Sequence, residues 1–169
     1  MSHIGVLSQA DIFYGFSQEL LERVASTCRE REYAAGETIF KENSASDELY
    51  VIARGEVEIL IDPALVSDRP DTPSRPTTIA TLRRGQSFGE VALVDQGLRS
   101  ATARSASHDT RLLVIPRLDL MRLIEADPLL GYRLMYNLAA DLALKIRNTD
   151  LMIRERLLYT QRKTAPKDN

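Results

Sequence analysis

Short β-rich segments separated by turn-forming residues fill the middle of this 169-residue chain. The clearest are ETIFK, ELYVIA, EVEILI, TTIATL and RLLVIP, which are rich in β-branched and aromatic residues. The segment VIARGEVEIL predicts a hairpin with its tight turn at Arg54-Gly55, because its second half alternates apolar and polar residues. With RSATARSAS, the chain is expected to carry about eight short strands before Pro116 ends the β region.

Helical patterns flank the β-rich region on both sides. Apolar residues recur every four positions between Ser8 and Arg31 and predict a helix there, with Gly36 as its stop signal. RLDLMRLIEA predicts a short helix, and the segment from Asp127 predicts a long one, with Asp127 as N-cap and Pro128 at the first helical position. Along the long helix, mostly apolar residues recur at a spacing of three to four and form a stripe: Leu134, Leu138, Leu142, Ile146, Thr149, Ile153 and Leu157. Tyr132 and Tyr136 are expected to pack on the β region rather than cover a ligand.

The order of elements predicts the α+β class, as an antiparallel, jelly-roll-like β-roll flanked by an N-terminal helix and C-terminal helices. We expect one domain over residues 1–160, with the roll at about 33–116, the C-terminal helices at about 117–160 and a disordered tail at 161–169. The proline-rich stretch from Asp62 to Pro76 is interpreted as an exposed loop rather than a hinge. At about 1.5 Å per residue the long helix would run roughly 45 Å, so its far end is expected to pack on a second copy in a homodimer.

Composition argues against several functional classes. The formal charge of −2 gives no general attraction to nucleic acid or acidic membranes. Cys28 is the single cysteine, so no internal disulfide forms and no cysteine cluster can hold a metal. With only His3 and His108 as histidines, no catalytic residue is expected and the chain is not predicted to be an enzyme. The N-terminus lacks a signal-peptide pattern and no window suits a membrane span, which favours a cytoplasmic protein.

Glycines, small residues, one acid and one base are concentrated in GQSFGEVALVDQGLRSATA, residues 85–103. Gly85 and Gly89 permit positive φ or close approach to a ligand, and EVAL can form one helical turn whose free N–H groups attract an anion. Arg99 offers a planar fork that suits phosphate or carboxylate. The small residues that follow, Ser100, Ala101 and Thr102, allow amides and hydroxyls to reach the same anion.

Glu90 needs a different role, because a carboxylate would repel a phosphate. Accepting a hydrogen bond from a sugar hydroxyl suits it, and the nearby Arg99 would keep it ionised. An acid for a ribose and a base for a phosphate together suit a nucleotide. The alternative is a Glu90–Arg99 ion pair that merely closes a loop, which is common for two such residues. The FGE-x-AL frame, the RSAT sequence and the preceding strands favour the nucleotide.

These motifs closely resemble the phosphate-binding cassette of the cyclic nucleotide-binding domain family, which includes catabolite-activator-type bacterial regulators, kinase regulatory subunits and cyclic-nucleotide-gated channels. The resemblance extends from about Ile12 to Leu144 and includes AAGETIFKENSASDELYVIARGEVEIL. It implies that Glu90 bonds the ribose 2′-hydroxyl and Arg99 neutralises the cyclic phosphate. It further implies a set of supporting residues: Gly89, Ser100 and the amides of Ala101 and Ala92 around the phosphate, with Val91 and Leu93 as apolar supports.

Two positions depart from the family pattern. Asn43 stands where the family usually has glycine, and asparagine tolerates left-handed conformations. The long helix has no Thr-Ser pair at the adenine-contact position; Lys145 and Ile146 stand there instead. Lys145, Arg147 and Asn148 are candidates for a base lid through cation–π or polar contacts, and solvated helix residues are the alternative. Ser100 in place of threonine favours cAMP over cGMP.

The resemblance implies a regulatory switch. Phosphate capture would tighten the EVAL turn, shift a contact with Leu118, Leu120 and Leu123, and re-pose the long helix toward a second copy or an unidentified effector protein. No winged helix-turn-helix follows the long helix, so direct DNA binding is not expected. The competing hypotheses are an interaction scaffold that binds no nucleotide, a sensor of cGMP or a cyclic dinucleotide, and a piece of a larger channel, kinase or transporter.

Overall fold

The structure is a computed structural model that describes residues 2–45, 47–66, 74–91, 94 and 97–164, with the backbone alone at 66, 156 and 160–164. The helices are α1 (His3–Leu7), α2 (Gln18–Ala25), α3 (Arg117–Ala126) and α4 (Pro128–Thr164). The strands are β1 (Arg29–Tyr33), β2 (Thr38–Phe40), β3 (Glu48–Arg54), β4 (Glu56–Ile61), β5 (Thr77–Arg83), β6 (Ser87–Phe88), β7 (Thr102–Ser105) and β8 (Thr110–Pro116). Short 3-10 turns cover Asp11–Phe13 and Pro63–Val66.

The described strands form two antiparallel four-stranded sheets, in the orders β1-β8-β3-β6 and β2-β7-β4-β5. The first sheet is covered on both faces, which explains why β8 is apolar almost throughout. Leu113 and Ile115 of β8 belong to a core shared with the helices, whereas Leu112 and Val114 face the interior of the roll. The predicted α+β class and antiparallel β-roll are therefore confirmed.

The predicted hairpin at Arg54-Gly55 is wrong. β3 pairs with β6 and β8, whereas β4 pairs with β5 and β7, so the chain passes from one sheet to the other at Gly55. Gly55 has a φ of +83°, and a Cβ there would lie 2.7 Å from the Thr110 hydroxyl oxygen. The glycine thus makes a corner between sheets, where alternation within each strand gives no information about pairing partners.

The continuous helix predicted between Ser8 and Arg31 is also wrong. Gly15 adopts a φ of +75° and separates the 3-10 turn from α2, where Ser17 caps the new helix by accepting from the Leu20 N–H. Helix α2 ends at Ala25, well before the predicted stop at Gly36. Residues 29–33 instead form β1, which pairs with β8 along its whole length, so tertiary pairing overrides the local helical pattern.

The N-terminus of α4 follows the prediction. The Asp127 side chain accepts from the N–H groups of Leu129 and Leu130, and Pro128 occupies the first helical position. Arg23 of α2 donates to the same carboxylate at 2.7 Å, which fixes the helix start against the body. Backbone bonds and Arg23 lower the pKa of Asp127.

The predicted apolar stripe of α4 is buried along the first part of the helix and exposed along the second. Leu134 and Leu138 are buried in the core with the N-terminal helices, and Leu130, one turn earlier, is also fully buried. The side chains described beyond Lys145 are exposed, including Ile146 and Ile153. Two further expectations are wrong: Tyr132 and Tyr136 are exposed and contact each other rather than the roll, and Leu118 is exposed, although Leu120 is fully buried. Helix α4 extends through Thr164, into the segment expected to be a disordered tail.

Candidate functional site

The predicted acid and base lie where the 85–103 segment crosses between the two sheets. Glu90 follows β6 of the first sheet, and Arg99 precedes β7 of the second. Val91 and Val94 between them are helical, as the EVAL turn predicts. Ala92 and Leu93, also predicted site residues, lie outside the described residues.

Arg99 is buried with its guanidinium over an aromatic ring, and only 4% of its surface is exposed. Its guanidinium carbon lies 4.1 Å from the centre of the Phe40 ring, and its two terminal nitrogens donate to main-chain carbonyls, Nη1 to Gly89 and Nη2 to Glu48. Within the described part of the chain, Nε has no hydrogen-bond partner and no carboxylate lies within ion-pair distance. Burial lowers the pKa of Arg99. The result is a buried cation whose charge is solvated by neutral groups.

A left-handed turn at Asn43 holds the backbone of Arg99. The N–H of Asn43 donates to the Arg99 carbonyl at 2.8 Å, and the N–H of Arg99 donates to the Ser44 carbonyl at 2.9 Å. Asn43 has a φ of +63° and is the one non-glycine residue with positive φ among those described. The expectation that asparagine tolerates a left-handed conformation at this position is confirmed.

Gly89 permits the close packing of the two sides of the segment. Its φ is +80°, and a Cβ at this position would lie 2.5 Å from Arg99 Nη1 and 3.1 Å from the Glu48 carbonyl oxygen. Both the conformation and the space therefore require glycine. A side chain here would displace the guanidinium that sits directly on the Gly89 backbone.

Glu90 is paired with the long helix rather than with Arg99. Its side chain is buried, and its Oε1 lies 2.8 Å from Lys145 Nζ on α4. Lys145 Nζ also lies 2.7 Å from Asp141 Oδ2 and donates to the Ser87 carbonyl at 3.3 Å. The alternative of a Glu90–Arg99 ion pair is not observed among the described residues, and neither is Arg99 as the main charge partner of Glu90. Burial alone would lower the pKa of Lys145, but the two carboxylates outweigh it and raise that pKa.

The other predicted site residues are more open. Ser100 is exposed, Ala101 is half-buried, and the Thr102 hydroxyl accepts from the Glu42 N–H at 3.0 Å. Val91 is 40% exposed, so it does not act as a buried apolar support in this conformation. Of the three candidates for a base lid, Lys145 reaches the site, whereas Arg147 and Asn148 are exposed.

Sequence reasoning missed residues that complete the site. Phe40 and Tyr50 form its aromatic floor, where Tyr50 stacks on Phe88 at 5.0 Å. Asp141 was also missed, although its spacing of four residues from Lys145 on a helix is a recognisable ion-pair signal. Phe40 and Tyr50 carried no such signal, because their contact with Arg99 depends on how the two sheets fold together.

The geometry suits an anion joined to a hydroxyl-bearing group. Arg99 supplies a buried positive charge without a carboxylate partner in the described region, and Glu90 supplies a buried acceptor on the other side of Gly89. The described residues contain no group of three or more histidine, cysteine, aspartate or glutamate side chains placed to hold a metal ion. Nor does any helix in the described ranges have the length and apolar character needed to span a membrane.

Comparison with known proteins agrees with this geometry. The Cyclic AMP receptor protein of Thermus thermophilus is 35% identical over 140 residues, which are 83% of this chain and 59% of that protein. The cGMP-dependent protein kinase, isozyme 1, of Drosophila melanogaster is 30% identical over 123 residues, covering 72% of this chain and 15% of the kinase. The crystal structure of a cyclic nucleotide-binding domain from Methylobacillus flagellatus is similar with a TM-score of 0.72, over 98% of this chain and 84% of that one, and at 23% identity it supports the fold alone.

The chain spans 59% of the first relative's length and 15% of the second's. The family model of the cyclic nucleotide-binding domain matches residues 30–127. These residues include the whole 85–103 segment, helix α3 and every described strand, apart from the first residue of β1. By that match, with which the identity to the receptor protein agrees, this chain belongs to the cyclic nucleotide-binding domain family.

Proposed function

We propose that this chain is a regulatory module that binds cAMP and passes the signal through α4 to a partner. The observation that carries the proposal is Arg99, a guanidinium 4% exposed and bonded to carbonyls rather than to a described carboxylate. A buried charge is expensive to maintain unless a partner of opposite charge neutralises it. A cyclic phosphate is a partner of the right charge and shape for the guanidinium fork.

The ligand-binding residues of the cassette, which is the segment 85–103, then have distinct roles. Arg99 binds the phosphate, and Gly89 lets the ligand approach the backbone closely. Glu90 accepts from the ribose 2′-hydroxyl. The Ser100 hydroxyl and the amides of Ala101 and Ala92 add donors to the phosphate.

Signal transfer would be a population shift between two poses of α4. A ligand can bias such poses only by binding one of them more tightly. Helix α4 is suited to this role because Lys145 contacts Glu90 directly, so a ligand at Glu90 must alter that contact. Leu120 and Leu123 of α3 pack with Leu134 and Leu138 of α4 in one core cluster and would transmit the movement. An effector protein would read the pose of the exposed part of α4.

We also propose that the protein forms a homodimer through α4. On the side of α4 away from the roll, exposed residues recur with alternating steps of four and three: Tyr132, Tyr136, Ala139, Ala143, Ile146, Asp150, Ile153 and Leu157. We call this set the α4 seam. A 4-3 repeat is the pattern of a two-stranded coiled coil, and the central alanines permit close approach of two helices. Asp150 is the charged exception within it.

A thermal-shift comparison distinguishes cAMP from the alternatives, because a ligand that binds only the folded state raises Tm with its concentration. We expect cAMP to raise Tm more than cGMP or a cyclic dinucleotide does at equal concentration. A larger shift with either competitor would reassign the ligand. The absence of a shift with all three would favour the scaffold that binds no nucleotide.

A further inference from the structure

Lys145 is the one α4 side chain, among those described, that is bonded to the predicted ligand-binding acid. Its ammonium group has three N–H donors. Three acceptors surround it at hydrogen-bonding distance: Glu90 Oε1 at 2.8 Å, Asp141 Oδ2 at 2.7 Å and the Ser87 carbonyl at 3.3 Å. Two of the donors form hydrogen bonds, to Glu90 and to the Ser87 carbonyl, and the contact with Asp141 is an ion pair without hydrogen-bond geometry.

The contact differs from an ordinary surface ion pair. The side chains of Glu90 and Asp141 are 6% and 17% exposed, and that of Lys145 is 35% exposed. Partial burial makes charge-assisted bonds stronger than exposed ones, and removing one partner leaves the other charge without compensation. The ammonium group thus joins α4 to the end of β6, within the cassette.

We propose that Lys145 is a latch that the ligand displaces: its ammonium group occupies Glu90 and holds α4 against the cassette until a ribose 2′-hydroxyl takes its place. The inference rests on the proposed function, since it assigns the hydroxyl to Glu90. It adds that nucleotide affinity is limited by an internal competitor. It also links ligand binding to the helix through one bond, because the group that leaves Glu90 belongs to α4.

The latch makes a specific prediction about the 2′-hydroxyl. In the wild type, a bond from the hydroxyl to Glu90 replaces the bond from Lys145, so the net gain is small. Without Lys145 the hydroxyl bonds a carboxylate that otherwise lacks a partner, so the gain is larger. The ratio of affinities for cAMP and 2′-deoxy-cAMP should therefore rise when Lys145 is removed.

Calorimetric titration with cAMP and 2′-deoxy-cAMP tests this on the full chain, using Lys145→Met, Lys145→Arg and the exposed control Arg154→Met. We expect Lys145→Met to bind cAMP roughly tenfold more tightly and to increase the cAMP to 2′-deoxy-cAMP ratio by a similar factor. Lys145→Arg and Arg154→Met should resemble the wild type. Lys145→Gln replaces the methionine variant if that variant does not fold. Weaker cAMP binding by Lys145→Met would overturn the proposal and make Lys145 a ligand contact, and an unchanged ratio would overturn the competition.

Hydrogen exchange of the ligand-free protein tests the latch independently of any nucleotide. Loss of the anchor should speed amide exchange over residues 139–149 by about tenfold in Lys145→Met and leave Arg154→Met unchanged. Equal exchange in the two variants would show that Lys145 does not hold α4. If the wild type binds cAMP and Lys145→Met binds it no better, the latch fails alone. If no variant binds any nucleotide, the proposed function fails and displacement by ligand fails with it.

Discussion

Asn43 and Arg99 are joined through their main chains: the Asn43 N–H donates to the Arg99 carbonyl at 2.8 Å, and the Arg99 N–H donates to the carbonyl of Ser44, next to Asn43. The turn that precedes β3 therefore fixes the backbone from which the buried guanidinium extends. Asn43 adopts a φ of +63° to make this pairing. A conformation that few residues tolerate is therefore located directly beside Arg99, the residue predicted to bind the phosphate.

The stability of variants at Asn43 should depend on how well the new residue tolerates a positive φ. Asn43→Ala should lower the free energy of unfolding by about 1 kcal/mol, because alanine is strained at positive φ. Asn43→Gly should leave it within about 0.5 kcal/mol of the wild type. Urea unfolding measures both, with exposed Lys41→Ala as control. A glycine variant less stable than the alanine variant would show that the asparagine side chain, and not its φ, is what matters.

Gly89 and Gly36 offer a matched test of close packing. Both have a φ of +80°, but a Cβ at Gly89 would lie 2.5 Å from Arg99 Nη1, whereas nothing lies within 4 Å of a Cβ at Gly36. Gly36→Ala should therefore show the conformational strain alone, about 1 kcal/mol. Gly89→Ala should lose about 1–3 kcal/mol more and lose nucleotide binding. Equal losses of stability in urea unfolding would mean that Arg99 is not packed on Gly89.

The Lys145–Glu90 contact predicts a particular pH dependence. Because the carboxylates of Glu90 and Asp141 raise the pKa of Lys145 in the folded protein, the stabilisation is fully present below the ordinary lysine value of about 10.4 and is lost as pH rises through the folded value. The difference in unfolding free energy between the wild type and Lys145→Met should be constant from about pH 6 to 9. A difference that declines within this range would mean that the lysine does not carry the contact.

The α4 seam predicts which substitutions change oligomeric state. Ile153→Glu should dissociate the dimer, because it places like charges opposite each other in the interface between the two helices. Leu151→Glu is the matched control, since Leu151 has a similar exposure, 56% against 50%, and lies outside the seam. Asp150→Leu should tighten association. Sedimentation equilibrium measures all three, and a wild type that remains monomeric at high concentration would refute the dimer.

The sequence was sufficient where local chemistry determines structure. Asp127 and Pro128 marked the start of α4, Pro116 marked the end of the strands, and the motif around Glu90 and Arg99 pointed to the candidate site. The local pattern failed where partners are distant in sequence. Residues 29–31, at the end of the predicted helix, instead pair with β8, and the segment around Gly55 looks like a hairpin but joins two sheets.

The site shows the same division. The resemblance located Arg99 and Glu90, but the charge partner of Glu90 is Lys145, 55 residues away, and the Arg99 cation rests on Phe40. From the sequence, Lys145 was predicted only as a candidate for contact with the base of the ligand. Its pairing with the acid instead depends on the pose of α4, which the spacing of apolar residues along the helix does not determine.

The most direct test of the account is calorimetric titration with cAMP of the wild type, Arg99→Ala and Arg122→Ala, the last an arginine whose side chain is 76% exposed. We expect saturable binding to the wild type and to Arg122→Ala, with a dissociation constant of about 1 μM or below. Arg99→Ala should bind at least about a hundredfold more weakly, since it removes the one buried cation assigned to the phosphate. Equal binding by Arg99→Ala, or no binding by the wild type, would contradict the assignment of this site to a cyclic nucleotide.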